Sequence, residues 1–228
     1  MATILITGAN KGIGLELARR YAARGDTVLA CCRDPGKSAA LKAIARGVEV
    51  LGVRIDDAQS VAALKETLTG RAIDVVINNA GMAGPAPDQQ SAATMDYEGW
   101  AKTFAVNTMA PLRILQALRD NLRAGRQPKA VAITSQMGAL DLNWPVMYAY
   151  CSSKAALNKV MRMLSKDFEK DGIAVAVVHP GHVKTDMGGP NAAITVEESA
   201  AGIIAVTDNL SMAATGSFVK WNGDPHNW

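Results

Sequence analysis

Tyr150 and Lys154 stand four positions apart in the run Tyr150-Cys151-Ser152-Ser153-Lys154. In a helix that spacing stacks both side chains on one face, so an ammonium lies beside a phenol. A phenol that titrates near 10 donates its proton slowly at neutral pH, and a neighbouring cation lowers that value by roughly 1–3 units. The pair therefore suits proton transfer to an oxygen that is gaining negative charge. Tyr148 is the rival phenol, but Ser152, four residues beyond it, offers no charge.

The same chain opens with Thr7-Gly8-Ala9-Asn10-Lys11-Gly12-Ile13-Gly14. Gly8, Gly12 and Gly14 fall where a strand-like apolar run gives way to helical periodicity. A turn there must bend tightly, let a ligand approach and expose helix N-terminal amides, which describes a cradle for a pyrophosphate. The spacing differs from the more general G-x-G-x-x-G pattern. A later run ends in Asn78-Asn79-Ala80-Gly81, whose small and amide residues let backbone pass close to an adenosine ribose; an ordinary turn has the same composition. At the end of the second predicted strand Arg33 would welcome a 2′-phosphate, with Lys11 as a second cation, which favours NADP(H) over NAD(H). Asp34 is the competing signal, but directly before Pro35 it reads as a cap for the next helix.

Short apolar runs and longer helical patterns alternate along the whole chain. Residues 2–7, 27–32, 48–55, 73–78, 130–135, 173–179 and 217–221 read as strands, several apolar on both faces. Residues 12–24, 38–46, 59–68, 98–123, 150–171 and 197–208 read as helices, with Leu157, Met161, Leu164 and Phe168 forming one apolar stripe. This alternation predicts a single-domain, Rossmann-like, doubly wound α/β fold over residues 1–228: a parallel sheet of about seven strands with helices on both faces. The loops 80–94 and 181–195 both leave carboxyl ends of strands, where such sheets bind ligands.

Composition narrows the function. With 228 residues the chain suffices for one well-buried core, and 49% hydrophobic against 20% charged residues argues against disorder. The net charge of +3 arises from scattered basic residues, so neither nucleic acid nor an anionic membrane is called for. No apolar run approaches the roughly 18 residues of a membrane span, and no signal peptide opens the chain. Three cysteines, two of them adjacent, make neither a disulfide framework nor a zinc site, which fits a reducing cytoplasm. His179 and His182, separated by Pro180-Gly181, cannot share a helical face and read as structural; no metal is expected. Cys151 reads as a small packing residue.

The glycine turn, Asn-Asn-Ala-Gly, Ser135 and the Tyr150/Lys154 pair occur in one order over essentially the whole chain, which resembles a short-chain dehydrogenase/reductase. Pro180-Gly181-His182-Val183-Lys184-Thr185 is similar to that family's nicotinamide-holding turn. Within the family, the compact length and Arg33-Asp34-Pro35 resemble sniffer-type carbonyl reductases and C-factor-like proteins. The resemblance implies that Tyr150 is general acid in reduction and base in oxidation, that Lys154 tunes it and holds the nicotinamide ribose, and that Ser135 bonds the substrate carbonyl oxygen. It further implies that Asn107 completes a proton relay through water. The cofactor would lie on Gly8, Asn10, Lys11, Gly12, Ile13, Gly14, Arg33, Asn79, Ala80, Gly81, Tyr150, Lys154, Pro180, Gly181, Val183 and Thr185. Near the adenine, where many members carry Asp, the chain offers Arg54 unless the register shifts to Asp56. The span from Ser135 to Tyr150 is slightly longer than the family pattern, which displaces residues 140–147 rather than the catalytic pair.

Substrate would sit in the loops 136–149 and 181–195. Trp144, Met147 and Met187, with Ser135 and Tyr150, either line a pocket for an apolar or aromatic carbonyl compound or pack the loops and an oligomer contact. A short second loop, with Gly188-Gly189-Pro190, leaves little lid and predicts a fairly open site for ketones or aldehydes. The leading expectation is an NADPH-dependent carbonyl reductase of a small-molecule substrate. A 3-oxoacyl reductase or an NAD-dependent alcohol dehydrogenase remains open within the family, as does an NADP(H)-sensing or signalling protein that does not need turnover. Self-association through long helices is common in the family, so a homo-oligomer is consistent with the resemblance.

Overall fold

Ile4 and Ile6 face one side of the first strand and Leu5 the other, and all three are fully buried. A strand with no solvent face needs a helical layer on each side. In a computed structural model describing residues 1–44 and 46–228, seven strands supply the sheet: β1 (Thr3–Thr7), β2 (Thr27–Cys32), β3 (Val48–Gly52), β4 (Val75–Asn78), β5 (Lys129–Ile133), β6 (Ala174–His179) and β7 (Ser217–Lys220). They lie in the order β3-β2-β1-β4-β5-β6-β7, every neighbouring pair parallel.

The helices are α1 (Gly12–Ala23), α2 (Ala39–Lys42), α3 (Ala58–Thr67), α4 (Tyr97–Phe104), α5 (Ala110–Ala117), α6 (Arg119–Arg123), α7 (Tyr148–Glu169) and α8 (Val196–Asn209). Leu17, Ala18 and Tyr21 of α1 join Ile203 of α8 in one layer. Val61 and Leu64 of α3, Ile114 of α5, and Leu157, Met161 and Phe168 of α7 build the other. The chain winds from β1 out to β3, then crosses back to β4, so the strand order reverses between β1 and β4. Open α/β sheets bind ligands outside the carboxyl ends of strands at such a reversal. This is the doubly wound Rossmann-like architecture that the alternation predicts.

Several elements differ from expectation: β4 starts at Val75 rather than at residue 73, and β5 ends at Ile133 rather than at residue 135. The strand expected over 48–55 ends at Gly52, because Arg54 donates its N–H to Ser60 Oγ and Asp57 turns back to cap α3. The helix expected over 38–46 forms only Ala39–Lys42, while residue 45 lies outside the described residues. Here Pro35–Lys37 makes its own 3₁₀ turn capped by Asp34, and the Ser38 hydroxyl bonds the Asp34 carbonyl instead of capping α2. The helix expected over 150–171 spans Tyr148–Glu169, shifted two residues towards the N-terminus. The single helix expected over 98–123 is divided into α4, a π-turn at Ala105–Met109, α5 and α6. Pro111 has no N–H to give the carbonyl of Asn107 four residues earlier, so the α ladder cannot run through that point.

Candidate active site

The turn between β1 and α1 is pressed against the end of β4. Gly8 has φ +64°, and a Cβ on it would stand 2.9 Å from Ala80 Cα. A Cβ on Gly14 would overlap the carbonyl oxygen of Gly8. Asn79 fastens the two turns: its Nδ2 donates to the Thr7 carbonyl at 3.0 Å and to the Gly8 carbonyl at 3.2 Å. Thr7 Oγ1 accepts from the backbone amides of Asn79 and Ala80, each at 3.1 Å. Helix α1 starts without a side-chain cap and without an acid in its first turn. Its ladder begins with Leu15 N–H donating to the Lys11 carbonyl at 3.3 Å. The amides of Gly12, Ile13 and Gly14 precede that bond, at the positive end of the helix dipole. A pyrophosphate fits this donor set.

The segment after β6 lies over the cradle. Thr185 Cγ2 would be 3.4 Å from a Cβ on Gly12, and Thr185 Oγ1 donates to the Val183 carbonyl at 3.3 Å and accepts from Gly188 N–H at 3.2 Å. Val183 is buried and bridges to Ile194. The Pro180 carbonyl accepts from Ser199 Oγ at 2.6 Å, which holds the start of Pro180-Gly181. Lys11 and Asp186 form an exposed ion pair of 2.8 Å from one turn to the other. Asn10 and Arg33 are exposed, and among the described residues no ion pair involves Arg33. Asp34 accepts from Gly36 N–H at 2.9 Å, the capping role expected of it. Arg54 is exposed and Asp56 half-buried.

Across the sheet edge, Lys154 is buried, and its Nζ donates to the carbonyl oxygen of Ile133 at 2.8 Å. Burial pulls its pKa down to about 8. The ammonium lies 5.8 Å from the centre of the Tyr150 ring, and a Cβ on Gly81 would be 3.6 Å from Nζ. Burial raises the Tyr150 pKa, and the neighbouring Ser135 hydroxyl opposes that rise. The protein groups alone therefore do not lower the phenol as the spacing argument expects: Lys154 shares the tyrosine's dry surroundings and is turned onto a backbone carbonyl. Ser135, buried just beyond β5, accepts from Met137 N–H at 3.1 Å.

Asn107 sits in the π-turn, and its carboxamide is heavily engaged. Oδ1 accepts from Met82 N–H at 2.9 Å, while Nδ2 donates to the Met82 carbonyl at 2.8 Å and to Ser153 Oγ at 3.0 Å. Both amide protons are spent, so the side chain itself is a clamp. Pro111, which carries no N–H, cannot donate to the Asn107 carbonyl.

On the substrate side, Trp144 and Met187 are exposed, and Met147 is half-buried with φ +49° at the start of α7. Trp144 lines a cavity of about 190 Å³ with Met137, Leu142 and Cys151. That cavity lies against the flank of α7 bearing Cys151 and Ala155 rather than Tyr150. Sequence reasoning passed over Thr7, Gln90 and Ser153, polar residues in unremarkable contexts, and read His179 as structural. The ring of His179 accepts the Gln136 N–H at 3.1 Å, next to Ser135.

A phenol, a hydroxyl and an ammonium thus meet beside a cradle for a dinucleotide, an arrangement able to polarise and protonate an oxygen during hydride transfer. The family model described as short chain dehydrogenase matches residues 2–194. The chain is 38% identical over 157 residues to a protein named C-signal from Myxococcus xanthus, covering 68% of this chain and 93% of that relative. Among solved structures, the carbonyl reductase Sniffer of D. melanogaster is similar with a TM-score of 0.92 at 27% identity, over 100% of both chains. A carbonyl reductase from Pseudomonas aeruginosa PAO1 in complex with NADP is similar with a TM-score of 0.88 at 35% identity, also over 100% of both chains. The family match runs from β1 past β6, through every turn that builds the site, and the chain belongs to the short-chain dehydrogenase/reductase family of oxidoreductases.

Proposed function

We propose that the protein is an NADP(H)-dependent carbonyl reductase acting on ketones or aldehydes, with Tyr150 as general acid. The observation that carries this reading is the meeting of Ser135, Tyr150 and Lys154 at the carboxyl edge of the sheet, beside the uncapped amides of Gly12, Ile13 and Gly14. Gly8, Asn10 and the α1 amides would take the pyrophosphate, Arg33 and Lys11 the 2′-phosphate, and Asp56 or Arg54 the adenine. Asn79, Ala80 and Gly81 would receive the adenosine ribose, and Pro180, Gly181, Val183 and Thr185 the carboxamide. NADPH, when bound, supplies the hydride. Ser135 donates a hydrogen bond to the substrate oxygen, a contribution of roughly 3 kcal/mol in other enzymes where one such donor was removed. Tyr150 passes its phenolic proton to that oxygen, and its raised pKa keeps the proton in place at neutral pH. Lys154 then faces the resulting phenolate, with water at the Asn107 carbonyl returning the proton. The substrate would lie between the loops 136–149 and 181–195, with Met147 and Met187 at its mouth.

Following NADPH absorbance with a panel of ketones, aldehydes and quinones tests this. Turnover is expected with several of them, and Tyr150→Phe should abolish it while the variant still binds NADPH. Retained turnover in that variant, or strict dependence on one carrier-bound acyl substrate, would overturn the reading. The likeness to C-signal supports a second one, a signalling protein that binds NADP(H) without needing turnover. A wild-type protein that binds NADPH yet reduces nothing in the panel would favour it.

A further inference from the structure

We infer that Gln90, in the loop after β4, is the N-terminal cap of the catalytic helix and a positioning residue for Tyr150. This rests on the reading of Tyr150 as general acid.

Helix α7 cannot cap itself. Its flanking residue Met147 is left-handed, with φ +49° and ψ +50°, and makes no side-chain cap. The ladder starts with Cys151 N–H donating to the Met147 carbonyl at 2.9 Å. The amides of Tyr148, Ala149 and Tyr150 come before it and need acceptors from elsewhere. Gln90 serves two of the three. Its backbone carbonyl accepts from Tyr148 N–H, and its Oε1 from Tyr150 N–H, each at 3.4 Å.

Gln90 is only 1% exposed, an unusual place for a glutamine in a loop rich in Gly, Pro and Ser. Its Nε2 donates to the Ala83 carbonyl at 3.2 Å and to the Pro85 carbonyl at 2.6 Å. Two carbonyls at one end demand the NH₂, and the Tyr150 amide at the other demands the oxygen, so one orientation of the carboxamide satisfies all three. The short bonds anchor the glutamine to its loop, and the long ones reach the helix. Met82, at the near end of that loop, is clamped by Asn107. The segment from Met82 to Gln90 therefore braces the proposed relay residue at one end and the backbone of the proposed acid at the other. The brace fixes where the Tyr150 phenol stands relative to Ser135. In other enzymes a misplacement of about 1 Å can cost about a hundredfold in rate.

Gln90→Met keeps the shape and removes both functions of the amide. It should lower kcat for ketone reduction about ten- to a hundredfold, leave KM for NADPH within about twofold, and alter the pH profile of kcat. Hydrogen exchange at the Tyr148 and Tyr150 amides should speed up, while the exposed neighbour variant Gln89→Met changes nothing. If Gln90→Met does not fold, Gln90→Asn carries the test: one methylene shorter, it cannot span Pro85 and Tyr150 and should show a smaller kcat loss of the same kind. An unchanged kcat and pH profile in the folded variant, or a rise in NADPH KM that accounts for the whole loss, would overturn the assignment. Failure of the underlying reading shows separately, as turnover retained by Tyr150→Phe.

Discussion

Lys154 places its ammonium 5.8 Å from the centre of the Tyr150 ring while donating to the carbonyl oxygen of Ile133 at 2.8 Å. The cation is thus held by main chain from the neighbouring strand rather than by the phenol. Its pKa of about 8 places loss of this charge just above neutral pH. Reduction should therefore slow as pH rises through about 8, because the neutral amine no longer stabilises a phenolate one turn away. Lys154→Met should remove that limb of the pH profile and lower kcat by roughly a hundredfold. A full pH series of kcat on both proteins decides it, and an unchanged alkaline limb in the variant would rule Lys154 out as its source.

Gly8 tests the cradle from the backbone side. Its φ of +64° and the nearness of Ala80 Cα leave no room for a methyl group. Gly8→Ala should lose about 1–3 kcal/mol of stability. NADPH binding should weaken by more than the population lost to unfolding, since the displaced turn carries the amides proposed to take the pyrophosphate. Denaturant unfolding and a fluorescence titration with NADPH separate the two effects. Equal NADPH affinity in the folded variant would place the pyrophosphate elsewhere.

Arg33 is the group proposed to meet a 2′-phosphate. It is exposed and unpaired with any acid among the described residues, so its charge is available. A charge-assisted bond is worth about 1.5–3 kcal/mol, so Arg33→Ser should raise KM for NADPH roughly ten- to a hundredfold and leave that for NADH nearly unchanged. Asp34→Ala should not switch the preference, because its carboxylate is occupied with the Gly36 and Lys37 amides. Steady-state kinetics with both cofactors tests this, and a higher KM for NADPH than for NADH in the parent enzyme would already refute it.

Much of the architecture is legible because a doubly covered parallel strand leaves few choices: Ile4, Leu5 and Ile6 are apolar in succession, and only helices on both faces can bury them all. The Tyr150–Lys154 stack and the Asp34 cap follow from local spacing alone, and the structure has both. Other features depend on contacts distant in sequence. Gln90 looks like any polar loop residue until the unsatisfied amides of α7 are known. The π-turn follows from Pro111 only when its effect four residues upstream is traced. The raised pKa of Tyr150 comes from burial, which the charge of Lys154 gave no means to anticipate.

The titration of His179 can be followed without any substrate. Burial, with the nearby charges of His226 and Lys220, lowers its pKa from 6.5 to about 4, and its Nδ1 accepts the Gln136 N–H at 3.1 Å. An acceptor nitrogen must be unprotonated, so the native state favours the neutral ring. Between about pH 4 and 6.5 the unfolded chain binds this proton and the folded one does not, and stability must rise with pH across that window. The contribution is complete above 6.5, is lost as pH falls towards 4, and amounts to roughly 3 kcal/mol at most. His179→Asn keeps an acceptor but cannot titrate, so it should flatten the slope of stability between pH 4.5 and 6.5. Urea unfolding at several pH values in that range, on both proteins, checks it. Parallel slopes would mean that His179 is already protonated in the folded state, and that the Gln136 amide beside Ser135 is held by some other acceptor.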